Sequence, residues 1–317
     1  MREIFDAAEV AGLCGGDALI RWAAQGLPAG RGIRAFAAPD GSAVAVASPA
    51  LSGHDRLAVH GEPRTAAPLV RDVLRAVGRS YRPIGGRELI HAVHAALPWQ
   101  LQLAANFGWM ERSRGRSDGL APTGPDEAGG SGATGPDEAG GSGATGPDEA
   151  GGSAWTGLDE AGGSAGTGPD EAGAPAPGRL TAADGDEIAA LLDAAFPDSY
   201  AHPSRPGVQR WFGVRERASR ADDGRTAAGG PLVSVAAHAW CAPDLGCLAG
   251  VATAAAARGR GLGRAVCKVA VEDALARYGT VALMVADANR AALDLYRSLG
   301  LVHRPLAAAF FGAATAG

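Results

Sequence analysis

The sequence predicts an α/β protein with two modest folded regions on either side of a long tract that offers little to bury. Three observations carry that prediction. Apolar residues recur at strand and helix periods in both flanking regions. An eleven-residue repeat fills the middle. A glycine-rich turn stands between a strand pattern and a helix pattern near residue 260.

The bulk numbers agree with this division. The chain has 317 residues, enough for two separate cores, with 46% apolar and 20% charged residues. No apolar run approaches the ~18 residues needed to span a bilayer, and the opening MREIFDAAEVAGLCGG lacks a basic segment followed by a continuous apolar one. The expectation is a cytoplasmic protein with no membrane partner. Cys14, Cys241, Cys247 and Cys267 form no CxxC pair and no zinc-type spacing, so no metal is expected and the thiols read as small apolar side chains.

The net charge of −5 hides an asymmetry. Residues 123–177 hold ten of the 34 acidic side chains and no Lys or Arg, leaving 24 acids against 29 bases elsewhere. A mildly basic remainder suits a polyphosphate ligand and is too weak to argue for nucleic acid.

Residues 113–178 read as a disordered linker. The unit TGPDEAGGSGA begins at Thr123 and restarts at Thr134, Thr145, Thr156 and Thr167. Pro125, Pro136, Pro147 and Pro169 interrupt any helix, and no repeat offers the apolar face a solenoid needs. A coil of this length would hold its ends roughly 40 Å apart, so it could join two domains in nearly any arrangement.

Residues 1–112 read as an α/β region. Ala43–Ala47 and Arg56–His60 have strand character. Ala66–Val77 reads as a helix through Leu69, Val70, Val73 and Leu74, and Ile90, Val93, His94 and Leu97 suggest another. FGWM at 107–110 reads as a closing strand. No Gly-rich loop follows these strands, and His60, His91 and His94 lack an acid or cysteine at a telling spacing.

Residues 179–317 open with an amphipathic helix through Ile188, Leu191, Leu192 and Ala195, introduced by Asp184 and Asp186. Residues 197–211 read as an irregular, aromatic-rich passage, and 217–230 as a polar loop. Leu232–Trp240 and Leu248–Thr253 read as strands. Then comes the turn: Arg258, Gly259, Arg260, Gly261, Leu262, Gly263 and Arg264, followed by a helix with Val266, Val269, Ala270 and Ala274 on one face and Gly279 at its stop. Glycines there allow positive φ and close approach of a ligand to the backbone. Successive N–H groups at a helix N-terminus, with three arginines, make an anion site suited to a pyrophosphate. A dinucleotide fingerprint fails because Arg264 stands where the third glycine belongs, and a Walker loop fails because Gly263 is followed by Arg264 and Ala265.

The string R-x-x-G-x-G at 258–263 resembles the acyl-CoA loop of GNAT-superfamily N-acetyltransferases. Val251, Ala252 and Thr253 resemble the end of that family's splayed fourth strand. A second block strengthens the resemblance: after the apolar Val281–Ala286, the pattern N-x-x-A-x-x-x-Y-x-x-x-G is matched by Asn289, Ala292, Tyr296 and Gly300, with Leu301 where Phe is more usual. The resemblance implies a GNAT fold, a mixed and largely antiparallel sheet flanked by helices, and acetyl-CoA or another acyl-CoA as cofactor. Backbone groups of 251–253 would pair with pantetheine, 259–264 would hold the pyrophosphate, Asn289 would contact pantetheine, and Tyr296 would act as general acid. Asn289 as a plain helix cap and Tyr296 as a core tyrosine would look the same in sequence.

The same resemblance implies direct transfer to an amine in a ternary complex, with a backbone N–H near Val251 stabilising the oxyanion. Many relatives place a Glu base on the fourth strand, and LAGVAT has none. His238, with a suitable intrinsic pKa, Asp244 and a water chain are the candidates, and a structural role for His238 is equally open. Residues 1–112 resemble a degenerate half of a tandem acyltransferase, one that binds no cofactor and shapes the acceptor pocket. The expected acceptor is a small-molecule amine. A protein acceptor and a non-catalytic CoA-sensing module remain open, as does the oligomeric state.

Overall fold

A computed structural model describes residues 1–27, 32–98, 101–104, 106–115, 176–216 and 230–311. The repeat tract, and the polar loop expected at 217–230, lie almost wholly outside the described residues. The first half runs β1 (Arg2–Ile4), α1 (Ala7–Leu13), α2 (Ala18–Ala23), β2 (Arg34–Ala37), β3 (Ala43–Leu51), β4 (His54–Gly61), α3 (Pro63–Val77), β5 (Arg82–Gly86), α4 (Arg87–Ala96), β6 (Leu101–Leu103) and β7 (Phe107–Ser113). The second half runs β8 (Gly178–Arg179), α5 (Gly185–Ala195), β9 (Val208–Arg215), β10 (Leu232–Ala239), β11 (Gly246–Thr253), α6 (Leu262–Tyr278), β12 (Thr280–Ala286), α7 (Arg290–Ser298) and β13 (Val302–Phe311). The aromatic passage is thus irregular only to residue 207, where β9 takes over.

Among the described residues one mixed sheet has the order β1-β2-β3-β4-β5-β13-β7-β12-β11-β10-β9-β8, with β6 pairing β13 off this path. Read from either end, the order repeats the same plan. In each half four antiparallel strands lead into one parallel pair, β4–β5 or β11–β12, and a long helix, α3 or α6, makes the crossover that a parallel pair requires. The two halves are tandem lobes of one topology, and they exchange their last strands. Strand β7 of the first lobe pairs antiparallel with β12 of the second from Phe107↔Ala286 to Ser113↔Thr280. Strand β13 of the second pairs with β5 of the first. The exchanged strands pair with each other at the centre.

Helices cover both faces. On one, α6 buries Leu262, Val266, Cys267, Ala270, Val271 and Ala274 against the second lobe, a wider stripe than periodicity alone suggests. Val269 is only half-buried at its edge. Leu69, Val70, Val73 and Leu74 of α3, with Ile90 and Val93 of α4, do the same for the first lobe. On the opposite face α1 and α2 form a core that runs across the boundary, where Trp22 and Trp109 meet with ring centroids 5.8 Å apart. Removing either indole would leave a cavity costing about 3–5 kcal/mol.

A partly buried ion pair ties α2 to the exchanged strand. Asp17 caps α2, accepting from Leu19 N at 2.9 Å, and receives both guanidinium nitrogens of Arg304 at 2.6 and 3.1 Å. His60 Nδ1 stands 3.4 Å away. Burial alone would raise the Asp17 carboxyl, but hydrogen bonds from His60 and Arg304 hold it far below the usual carboxylate range.

Candidate functional site

The chemistry-bearing geometry lies where the second lobe's sheet opens. Strands β11 and β12 pair only at Gly246↔Val281 and Cys247↔Ala282, after which they part. On its other edge β11 carries a bulge: Val235↔Ala252 is followed by Ala237↔Ala249, so β11 inserts one extra residue there. Gly250 sits in it with φ 57, and a Cβ there would stand 3.1 Å from Ala201 Cβ and Trp211 Cη2. A bulge beside a parting strand pair leaves ladder N–H and C=O groups of residues 248–253 free for something other than a neighbouring strand.

At the far end of this stretch the loop 254–261 turns into α6. Gly259 and Gly261 both have φ 74, and Gly261 caps the helix without a side-chain bond. A Cβ at either would find open space, so conformation and not crowding calls for glycine. Ala265 N reaches Gly261 O at 3.0 Å, which leaves the N–H groups of Leu262, Gly263 and Arg264 without a carbonyl of the helix to bond. They open onto a cleft of about 160 Å³ lined by Thr253, Arg258, Gly259, Gly261, Leu262, Gly263 and Arg264, with Ala291 and Leu295 of α7. A helix N-terminus with these amides and cations can hold a phosphate-bearing group. Arg258 donates to Thr253 O at 3.3 Å. Arg260 pairs with Glu216 at 2.5 Å.

The second block falls beside the first. Asn289 Oδ1 accepts from Ala292 N at 3.0 Å and caps α7. Ala292 and Tyr296 are fully buried on the inner face of that helix. The Tyr296 hydroxyl has no hydrogen-bond partner among the described residues, and burial, with a smaller contribution from Cys267, raises its pKa well above the ordinary phenol value. A buried, protonated and unpartnered hydroxyl is costly in a purely structural role.

His238 must be corrected as a candidate base. Strand β10 alternates, and Ala236 and His238 face α6, not the opened groove. Its Nε2 meets Ala270 O at 2.8 Å, and its ring packs on Phe212 and Tyr278. Burial pushes its pKa down despite Ala270 and Asp273. Asp244 lies in the β10–β11 turn, paired with Arg21 of the first lobe.

A further cavity lies between the lobes, beside the bulge, where the resemblance led one to expect an acceptor pocket but named no residues for it. It is lined by Trp22, Ser52, Tyr200, Ala201, Trp240, Cys247, Leu248, Ala249, Gly250 and Met284. Tyr200 and Ala201 fall in the irregular passage read at 197–211. Trp22, Ser52 and Met284 come from segments far apart in the chain.

The first lobe repeats the topology without this geometry. Strands β4 and β5 stay paired over four registers, Arg56↔Arg82 to Val59↔Gly85. Strand β3 pairs β4 without a bulge until the hairpin. One residue, Glu62, joins β4 to α3.

An opened parallel pair, a bulged strand and a glycine-rich helix start occur together in the C-terminal lobe. Residues 170–301 match the model of the acetyltransferase (GNAT) family. A Drosophila protein of known structure shares the fold of the whole chain, with 12% identity, a TM-score of 0.51 and 99% coverage of both chains. Two structures below a TM-score of 0.5 are GCN5-related N-acetyltransferases. The one from Sphaerobacter thermophilus has 14% identity, TM-score 0.49 and coverage of 96% of this chain and 90% of its own. The one from Kribbella flavida has 14% identity, TM-score 0.47 and coverage of 87% and 89%. No curated protein matches the chain. No helix among the described residues is long and apolar enough to cross a membrane.

Proposed function

We propose that the C-terminal lobe transfers an acetyl group from acetyl-CoA to a primary amine of a small molecule, by direct attack in a ternary complex. The observation that carries this reading is the opening of the β11–β12 pair beside the cleft at the start of α6; in the first lobe β4 and β5 stay paired and a single residue leads into α3. Acetyl-CoA supplies the thioester carbonyl that the amine attacks.

This chain's residues then have distinct tasks. The N–H groups of 259–264 and the side chains of Arg258 and Arg264 hold the pyrophosphate. The backbone of Val251, Ala252 and Thr253, freed from β12, pairs with the pantetheine amides, and Asn289 adds a polar contact. The N–H of Val251, next to the bulge, is placed to stabilise an oxyanion in a dry site. Tyr296 keeps its proton at neutral pH and serves as the acid for the leaving sulfur. The enclosed, aromatic pocket between the lobes favours a small acceptor over a protein chain.

Calorimetric titration of acetyl-CoA into the wild type and into Gly261→Asp tests the reading. Micromolar binding by the wild type and none by the variant is the expected result. An absence of binding by the wild type would overturn it.

A further inference from the structure

Neither base candidate of the second lobe stands free at its opened groove: His238 lies under α6 and Asp244 is engaged by Arg21. The pocket between the lobes leads to a different pair. Tyr200, which lines that pocket beside Ala249 and Gly250, reaches across the boundary with its hydroxyl 2.8 Å from Nε2 of His54, at the start of β4 in the first lobe. The rings meet edge to face at 4.9 Å. Gly53 lies against the Tyr200 ring, where a Cβ on it would stand 3.1 Å from Tyr200 Cδ1.

Backbone strain gathers at the same place. Among the described residues three non-glycines have positive φ: Ala50 at 52, Ser52 at 50 and Trp240 at 52. Ser52 and Trp240 line the pocket, and Ala50 belongs to the hairpin turn that presents His54. Gly250, also left-handed, forms another wall. Each non-glycine residue in that conformation costs on the order of 1–3 kcal/mol, a cost that concentrates where a fixed geometry is needed. Two lobes spend it on the same few ångströms.

We propose that the acceptor's reacting nitrogen reaches this pocket between the lobes, whose volume of about 20 Å³ admits little more than that group, and that Tyr200 passes its proton to His54. This rests on the acetyltransfer reading above. As the nitrogen lone pair forms the C–N bond and the C–S bond breaks, the nitrogen's proton moves to Tyr200 Oη and the Tyr200 hydroxyl proton moves to His54 Nε2. The imidazole gains one proton, Tyr200 is unchanged, and the sulfur leaves with its electron pair and takes a proton from Tyr296. Both His54 and Tyr296 return to their starting states by exchange with solvent after product release.

The electrostatics suit a brief proton holder. Burial, then Arg56 and Arg82, push the His54 pKa down to about 4, with Asp55 opposing them. The ring is therefore neutral at pH 7, and its Nε2 is the acceptor for Tyr200 and, at 3.4 Å, for Arg82. A nitrogen that has just attacked a carbonyl is far more acidic than a free ammonium, so a weak base suffices. The same neighbouring cations then drive the proton off to water.

Hydroxylamine is the acceptor probe, being compact and uncharged at neutral pH, with CoA release read by thiol titration above the uncatalysed rate. Wild type, Tyr200→Phe, His54→Gln and the double variant are compared, each first checked by calorimetry for acetyl-CoA binding. The expected result is unchanged acetyl-CoA affinity, about a 10²-fold fall in kcat for each single variant, and no further fall in the double variant, because one relay is broken either way. Single variants with wild-type kcat, or losses that multiply in the double variant, would overturn the relay. A wild type that binds acetyl-CoA yet ignores hydroxylamine overturns this inference alone. One that binds no acetyl-CoA overturns the parent reading.

Discussion

The two lobes share one order of strands and crossover helices and differ in what their parallel pair does. In the first lobe β4 and β5 run together over four registers, and a single residue leads into α3. In the second, β11 and β12 part after two registers, β11 bulges at Gly250, and eight residues, 254–261, lead into α6. The closed pair satisfies its backbone internally and gains a continuous sheet. The open pair gives up ladder hydrogen bonds and leaves amides exposed, which is favourable only if a ligand completes them. Topology therefore does not make the site. The departures from regular pairing make it, and the closed lobe contributes a rigid wall that carries Trp22, Ser52 and His54 to its neighbour's pocket.

The largest test converts one lobe into the other. Replacing 254–261 by a single glutamate, the length and residue found between β4 and α3, removes two or more charge-assisted hydrogen bonds at about 1.5–3 kcal/mol each. Acetyl-CoA affinity should fall about 10³-fold or more, read by calorimetry, while far-UV circular dichroism stays that of the wild type. Retained micromolar binding would mean that the loop is only a connector.

A second test breaks the tie between the lobes. Asp17→Asn weakens the pair with the half-exposed Arg304 and should lower stability by about 1–2 kcal/mol at pH 7, measured by urea unfolding. Asp17 is an acid whose folded pKa lies far below its unfolded value of about 4. Its contribution is complete above that unfolded value and is lost as pH falls below it, so the difference between the two proteins should shrink below about pH 4. A constant difference would assign the loss to packing.

Tyr296→Phe sharpens the contrast between stability and catalysis. The hydroxyl is buried without a partner, so its removal should leave stability unchanged or raise it by up to about 1 kcal/mol. If Tyr296 is the acid, kcat falls about 10²-fold with acetyl-CoA affinity intact. A stability loss with unchanged kcat would return it to the core.

How far the sequence disclosed this molecule follows from how local each signal is. The turn at 258–264, helix α6 and the Asn289–Tyr296 block are contiguous, and periodicity with glycine placement located them. The strand exchange was hidden. Strand β13 reads VHRPLAAAFF, with a proline and three alanines in place of a clear alternation, and its partners β5 and β7 lie about 200 residues earlier. The residues of the pocket between the lobes were hidden for the same reason, since Trp22, Ser52, Tyr200 and Trp240 meet only after that exchange. The split of β11 from β12 was legible only through the resemblance of Val251–Thr253 to a splayed strand, since their side chains alone do not mark it.

His238 shows the limit most sharply and gives the smallest expected effect. Alternation put Ala236 and His238 on one face of β10, but nothing local said whether α6 or the groove would cover that face. Because α6 does, His238→Asn should cost about 1–2 kcal/mol through the lost bond to Ala270 O and poorer packing on Phe212 and Tyr278. It should leave kcat and its pH profile as they are. Burial lowers the folded pKa of His238, so below about pH 6.5 the unfolded chain binds more protons and the wild type loses stability as pH falls. Asparagine does not titrate, and the difference between the proteins should narrow from pH 8 to pH 5 in thermal melts. A shifted kcat profile with no narrowing would put His238 back among the candidate bases.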